Sequence, residues 1–192
     1  MVVAEVAKLL SDEPRMKCLR TVVAFVLHFE AYLEVSRDNA GLPGASGKIS
    51  PVTLHPALRS IVLFIARPVP VAPEEVLAES AELLAGLGPL LGRNCPATVE
   101  GVLSAFAALV QACTKLQSDA CNRVLGPFFA PERPATQHLL ALLAHSSNPK
   151  IHGQAVSLLT SACLLASEVL RVLVTAPTAA DADRPEDRRT SA

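Results

Sequence analysis

Between Ala97 and Leu116 the apolar residues Val99, Val102, Leu103, Phe106, Leu109 and Val110 recur at three- and four-residue intervals. That spacing places them on one buried stripe of an amphipathic helix. The segment Arg15 to Val35 repeats the pattern with Met16, Leu19, Val22, Val23, Val26, Phe29 and Leu33, while Arg15, Arg20, Glu30 and Glu34 fall largely off the stripe. A third helix is predicted from Lys150 to Val174, with Ile151, Ala155, Leu158, Ala162, Leu165, Val169 and Val172 on the packed face. Its length marks it as the expected central strut, and Leu159 and Leu173 fall beside its stripe rather than within it. Shorter helices are predicted at Val3 to Ser11, Leu54 to Ala66, Pro73 to Leu91, Asp119 to Phe129 and Ala135 to Ser146.

Proline and glycine punctuate the breaks, at Gly41 to Gly47, Arg67 to Pro70, Gly126-Pro127 and Ala130 to Pro134. Three junctions share a form: Leu9-Leu10 leading to Pro14, Leu90-Leu91 leading to Pro96, and Leu142-Leu143 leading to Pro149. In each, paired leucines close one helix, an Asp or Asn is placed to cap the next, and proline occupies its first turn, where a missing amide hydrogen costs nothing. The predicted unit is a helical hairpin. From Thr175 to Ala192 the apolar period is lost to Ala, Pro, Thr, Asp and Arg, a composition too poor in apolar surface to offset its own ordering entropy. The organisation expected is a helical domain over residues 1–174 and a disordered tail over 175–192.

Composition reinforces the all-α expectation. Of 192 residues 51% are hydrophobic, only 4% are aromatic and Trp is absent, a balance that disfavours a β-sandwich or barrel. The formal net charge of -1 lacks the basic excess that direct nucleic-acid binding exploits. A mean hydropathy of +0.38 suggests more apolar surface than one such domain covers by itself. Five scattered cysteines, Cys18, Cys95, Cys113, Cys121 and Cys163, sit among apolar residues and read as reduced thiols in an intracellular compartment, cytoplasm or nucleus. Glu5 and Lys8 interrupt the N-terminal apolar pattern, which therefore does not read as a signal peptide. The most apolar stretch, Ala155 to Val174, contains Ser157, Thr160, Ser161, Glu168 and Arg171 and reads as a buried helix rather than a membrane span.

The arrangement resembles the HEAT and armadillo superfamily, most clearly where Asn148-Pro-Lys-Ile-His-Gly-Gln-Ala155 leads into Val156 to Leu165, like the start of a repeat's inner helix. The resemblance covers Val2 to Val174 and implies a right-handed stack of roughly four hairpins. In it the helices Arg15 to Val35, Ala97 to Leu116 and Lys150 to Val174 would line one face. It also implies a fragment or isoform of a larger helical-repeat protein, of the kind found in meiotic chromosome metabolism. The ladder of Asp and Arg residues typical of regular armadillo arrays is absent from this chain.

No reaction is legible. Gly41 to Lys48 resembles a phosphate-binding loop only loosely: Leu42 stands where the first glycine belongs and Ile49 follows the lysine. The closest cysteine pair, Cys113 and Cys121, lacks metal-ligand spacing, and His138, His145 and His152 recur every seven residues, about 10 Å apart on a helix, too far to share a metal. His28 and Glu30 cannot share a helix face and have no nucleophile beside them. Glu74, Glu75, Glu79 and Glu82 form an acidic edge, from which Glu75, Glu79 and Glu82 are the candidate partner-docking residues. The expected function is a non-enzymatic protein-interaction scaffold with no cofactor or metal, with self-association through open end helices. The alternative is a helical bundle that binds an apolar ligand or a membrane surface.

Overall fold

Eight α-helices follow one another along the residues that the computed structural model describes, 11–38, 54–66, 73–93 and 95–175. They are α1 (Asp12–Asp38), α2 (Leu54–Ile65), α3 (Glu74–Ala85), α4 (Pro96–Cys113), α5 (Ser118–Phe128), α6 (Pro134–His145), α7 (Pro149–Leu165) and α8 (Ser167–Thr175). A short 3-10 turn, Gly88–Gly92, joins α3 to α4, and no strand occurs among the described residues. The chain is all-α. Of the expected helix Val3 to Ser11 only Ser11 is described, and it is not helical; of the expected tail Thr175 to Ala192 only Thr175 is described, and it closes α8; the rest of both, and the glycine-rich loop, lie outside the described residues.

Two rows of helices emerge from the packing. In one row α1, α3, α5 and α8 lie side by side in that order; in the other, α2, α4 and α7 do the same. Polar side-chain contacts between helices fix the directions. Near the start of α1 the Arg15 guanidinium donates to the Phe64 carbonyl near the end of α2, so these two helices run oppositely as a hairpin. Glu74 and Glu82 of α3 meet Arg123 and Arg133 in the same order along the chain, and Glu100 meets Lys150 near the starts of α4 and α7. Within the rows, α3 and α5, and likewise α4 and α7, therefore run parallel, as neighbours do when helical hairpins are stacked.

The stripe predicted on α4 is fully realised. Val99, Val102, Leu103, Phe106, Leu109 and Val110 are all buried, and Phe106 is wholly shielded. Its ring meets Phe128 edge-on at 4.9 Å, and Phe128 in turn meets Phe129 at 4.8 Å, in the T-shaped geometry that aromatic quadrupoles prefer. Pro96, Pro134 and Pro149 each open a helix, where proline's fixed φ suits the first turn. The Asn148 side chain accepts from the backbone amides of Lys150 at 3.0 Å and Ile151 at 3.4 Å, the cap expected at that junction. At the start of α4 the residue in the cap position is Cys95, which makes no side-chain cap.

Four expectations are corrected. The helix predicted from Lys150 to Val174 is two helices, because the buried Ala166 adopts an extended conformation (φ -134, ψ 106) and turns α8 onto α5 and α7. That turn is held by the Asn122 side chain, which accepts from the Glu168 amide at 3.2 Å. The central strut is α4, which packs on α2, α3, α5, α7 and the 3-10 turn, not α7. Nor does α1 share a face with α4 and α7; its neighbours are α2 and α3, which place it in the other row. The segment Pro73 to Leu91 leaves the α-helix after Ala85. Its remainder tightens into the 3-10 turn, where a Cβ on Gly88 would lie 2.6 Å from the Ala135 amide nitrogen. Only glycine permits that approach.

Candidate interaction surface

The α4–α7 pair of the second row leaves a groove of about 440 Å³ open on the surface. It is lined by Leu103, Ser104, Ala107, Val110 and Gln111 of α4 with Thr114, the residue that caps its C-terminus, and from α7 by Gln154, Ser157, Leu158, Ser161, Leu164 and Leu165. None of these side chains is ionisable. Spacing explains the lining: on each helix residues three and four apart share a face, so the buried stripe ends at the groove floor and a small, uncharged polar stripe forms its walls. The walls hold one unmet need. Gln154 Oε1 is shielded from water and has no hydrogen-bond partner. Buried polar groups normally find one, so this oxygen marks a place where an incoming donor would be favoured.

A second cleft, about 310 Å³, separates α2 from α4 and is lined by His55, Arg59, Val62, Gly101 and Ser104. Gly101 sets its depth, since a Cβ there would lie 2.6 Å from the Leu58 Cδ1 atom. Ser104 belongs to both clefts, which makes them one continuous surface along the second row.

The acidic edge on α3 lies in the opposite row and is already engaged within the chain. Glu79 pairs with Arg20 of α1, and Glu82 pairs with Arg133 just before α6 at 2.7 Å. Glu74 receives a two-pronged contact from Arg123 of α5, at 2.5 and 2.7 Å. The Arg123 hydrogen bond holds the Glu74 carboxyl below its ordinary value of 4.5. Glu75 is exposed and, among the described residues, has no ion pair. The edge thus joins neighbouring helices of the first row, and of the three candidate docking residues only Glu75 keeps an uncommitted carboxylate. Sequence periodicity could identify a charged face but not the arginines of three other segments that meet it.

The remaining candidates stay apart or chemically quiet. His138 and His145 line a shallow cleft with Gly92 and Arg93, and His138 Nδ1 donates to the Pro134 carbonyl at 2.7 Å. Among the described residues no three His, Cys, Asp or Glu side chains are grouped so as to hold a metal. All five cysteines are free. Burial, with a smaller contribution from Cys121, pushes the Cys113 thiol up to about 12, and burial also raises Cys121 and Cys163. Thiols held neutral in this way are poor nucleophiles. Among the described residues one helix, α4, is long and apolar enough to cross a membrane; half of it is buried inside the fold.

The groove was not anticipated from the sequence, although a signal exists. Ser104, Ala107 and Gln111 on α4 with its cap Thr114, and Gln154, Ser157 and Ser161 on α7, repeat a small uncharged face that charged residues avoid. Compared with protein-family models, characterised proteins and solved structures, the chain matches none.

Proposed function

We propose that this chain is a non-enzymatic protein-interaction module that docks a helix of its partner into the groove between α4 and α7. The observation that carries the reading is the groove itself: two parallel helices, an apolar floor, and walls of hydroxyl and amide groups without a charge. Such a trough suits the apolar face of a helix, which buries its stripe while the rim exchanges hydrogen bonds. An intracellular setting belongs to the same proposal, supported by five unpaired thiols. So does a role in meiotic chromosome metabolism, which rests on a resemblance to part of meiosis inhibitor protein 1.

The test is site-specific photo-crosslinking from position 161, on the groove wall, with Ala107→Arg as the block. Ala107 is exposed, so arginine there fills the groove without entering the core. A protein adduct that Ala107→Arg abolishes is the expected result. Adducts indifferent to the block, or none, would refute the reading.

A second reading has its own observation. Leu170 and Val174 stand 52% and 76% exposed on α8, an apolar pair that could enter a lipid surface. Sedimentation with vesicles of anionic and zwitterionic lipid separates the two, because only membrane binding carries the chain down with lipid.

A further inference from the structure

Among the described residues six large hydrophobic side chains are exposed, and three of them, Leu164, Leu170 and Val174, fall at the α7–α8 end of the molecule. Leu164, 82% exposed, sits on the rim of the groove. Leu170 and Val174 are four residues apart and share a face of α8. One end of the chain therefore carries both an uncharged trough and, on the next helix, an apolar pair with nothing over it among the described residues.

From this juxtaposition we infer that the occupant of the groove is α8 of a second copy of the chain, exchanged reciprocally in a two-fold dimer. The inference rests on the docking role given to the groove above and names its partner. Length agrees: the groove runs along α4 from Leu103 to its cap Thr114, about 16 Å at the helical rise, and the nine residues of α8 span about 13 Å. Charge agrees as well, since a trough without ionisable walls favours Leu170 and Val174 over a charged segment, and the one exposed cation on α8, Arg171, is paired with Glu168 on its own helix. Placement agrees too. The groove ends at Leu164 and Leu165 on α7, and α8, which packs on α7 and α5, starts at Ser167, so trough and ridge fall at the same end of the molecule. A two-fold axis beside the end of α7 lets each copy's ridge fill the other's trough in a single closed contact. The chain's own segment after Thr175 is a poor competitor. Residues 176–192 contain no apolar side chain larger than alanine or proline and so offer no anchor.

The experiment is sedimentation velocity of the full chain across a micromolar dilution series, paired with two variants acting on opposite sides of the contact. Leu170→Glu with Val174→Glu alters exposed positions on the ridge, and Ala107→Arg fills the trough. The expected result is a dimer for the parent, weakened more than about tenfold by either change, as removal of anchors at the centre of an interface does. Thermal melts of both variants show whether they stay folded; because the two lie on different helices, either one that folds suffices. Mixing them should restore association in part, since one retains an intact trough and the other an intact ridge. A parent that stays monomeric, a dimer indifferent to both changes, or crosslinks from the trough that map to residues 1–10 would overturn the inference. A monomer whose groove still captures another protein at position 161, blocked by Ala107→Arg, overturns the dimer and leaves the interaction reading standing. A monomer that captures nothing overturns both.

Discussion

Phe106 shows what one residue can settle. Its place in the middle of the helical stripe was readable from spacing, and the structure shields it completely, with its ring edge-on to Phe128, which in turn meets Phe129. Replacing it by alanine removes those contacts and leaves a cavity, so Phe106→Ala should lower stability by about 3 to 5 kcal/mol in denaturant unfolding. A variant as stable as the parent would contradict the burial. Arg15 shows the opposite lesson. Spacing put it off the stripe, yet it is buried, 3% exposed, with its guanidinium on the Phe64 carbonyl at the C-terminal end of α2. The last carbonyls of a helix lack intrahelical donors and carry partial negative charge, so a cation is favoured there. Leu159 is the same kind of correction: expected beside the stripe, it is buried, because α7 has neighbours on several sides in α4, α5, α6 and α8.

At the scale of elements, starts were more legible than stops. Proline in the first turn announces α4, α6 and α7, and Asn148 caps α7 with two accepted amides. Asn148→Ala should therefore cost about 1 kcal/mol, while Asn148→Asp, which keeps an accepting oxygen, should cost less; urea midpoints of the two variants check the order. The stops differ because they answer to tertiary contacts. Nothing at Ala166 forbids a helix, yet the chain leaves helical geometry there to bury Ala166 and Val169 and to let Asn122 hold the Glu168 amide. The turn after Ala85 is in part legible, through Gly88 and Pro89, but the close approach of Ala135 that requires the glycine is not.

At the scale of the molecule, the two rows are held by apolar packing inside and ion pairs along the edge. The Glu74–Arg123 pair joins α3 to α5, and Arg123 lowers the carboxyl below its ordinary 4.5. A carboxylate depressed in the folded state contributes its full stabilisation above the unfolded value and loses it as pH falls through the folded one. The stability difference between the parent and Glu74→Gln should therefore be present near neutral pH and shrink once pH drops well below 4.5. Urea unfolding at the two pH values measures it, and a difference that is the same at both would show that the pair contributes nothing. The pair is exposed, so the effect will also fade with added salt.

By itself the sequence determined the all-α class, the positions of the helices Asp12–Asp38, Leu54–Ile65 and Pro96–Cys113 to within a few residues, and the residues at the centre of the core. These follow from local periodicity, which a helix converts directly into a face. Which face meets which neighbour is not local. The acidic residues of α3 became a seam only because Arg20, Arg123 and Arg133 arrived from other segments, and α1 joined α3 rather than α4 and α7. The groove has the same origin. Ser104, Gln111, Gln154 and Ser161 are unremarked polar positions on two helices until the parallel packing of α4 on α7 sets them across from one another. A surface made by two segments about fifty residues apart exists only once the chain between them has folded, because neither helix carries the shape alone.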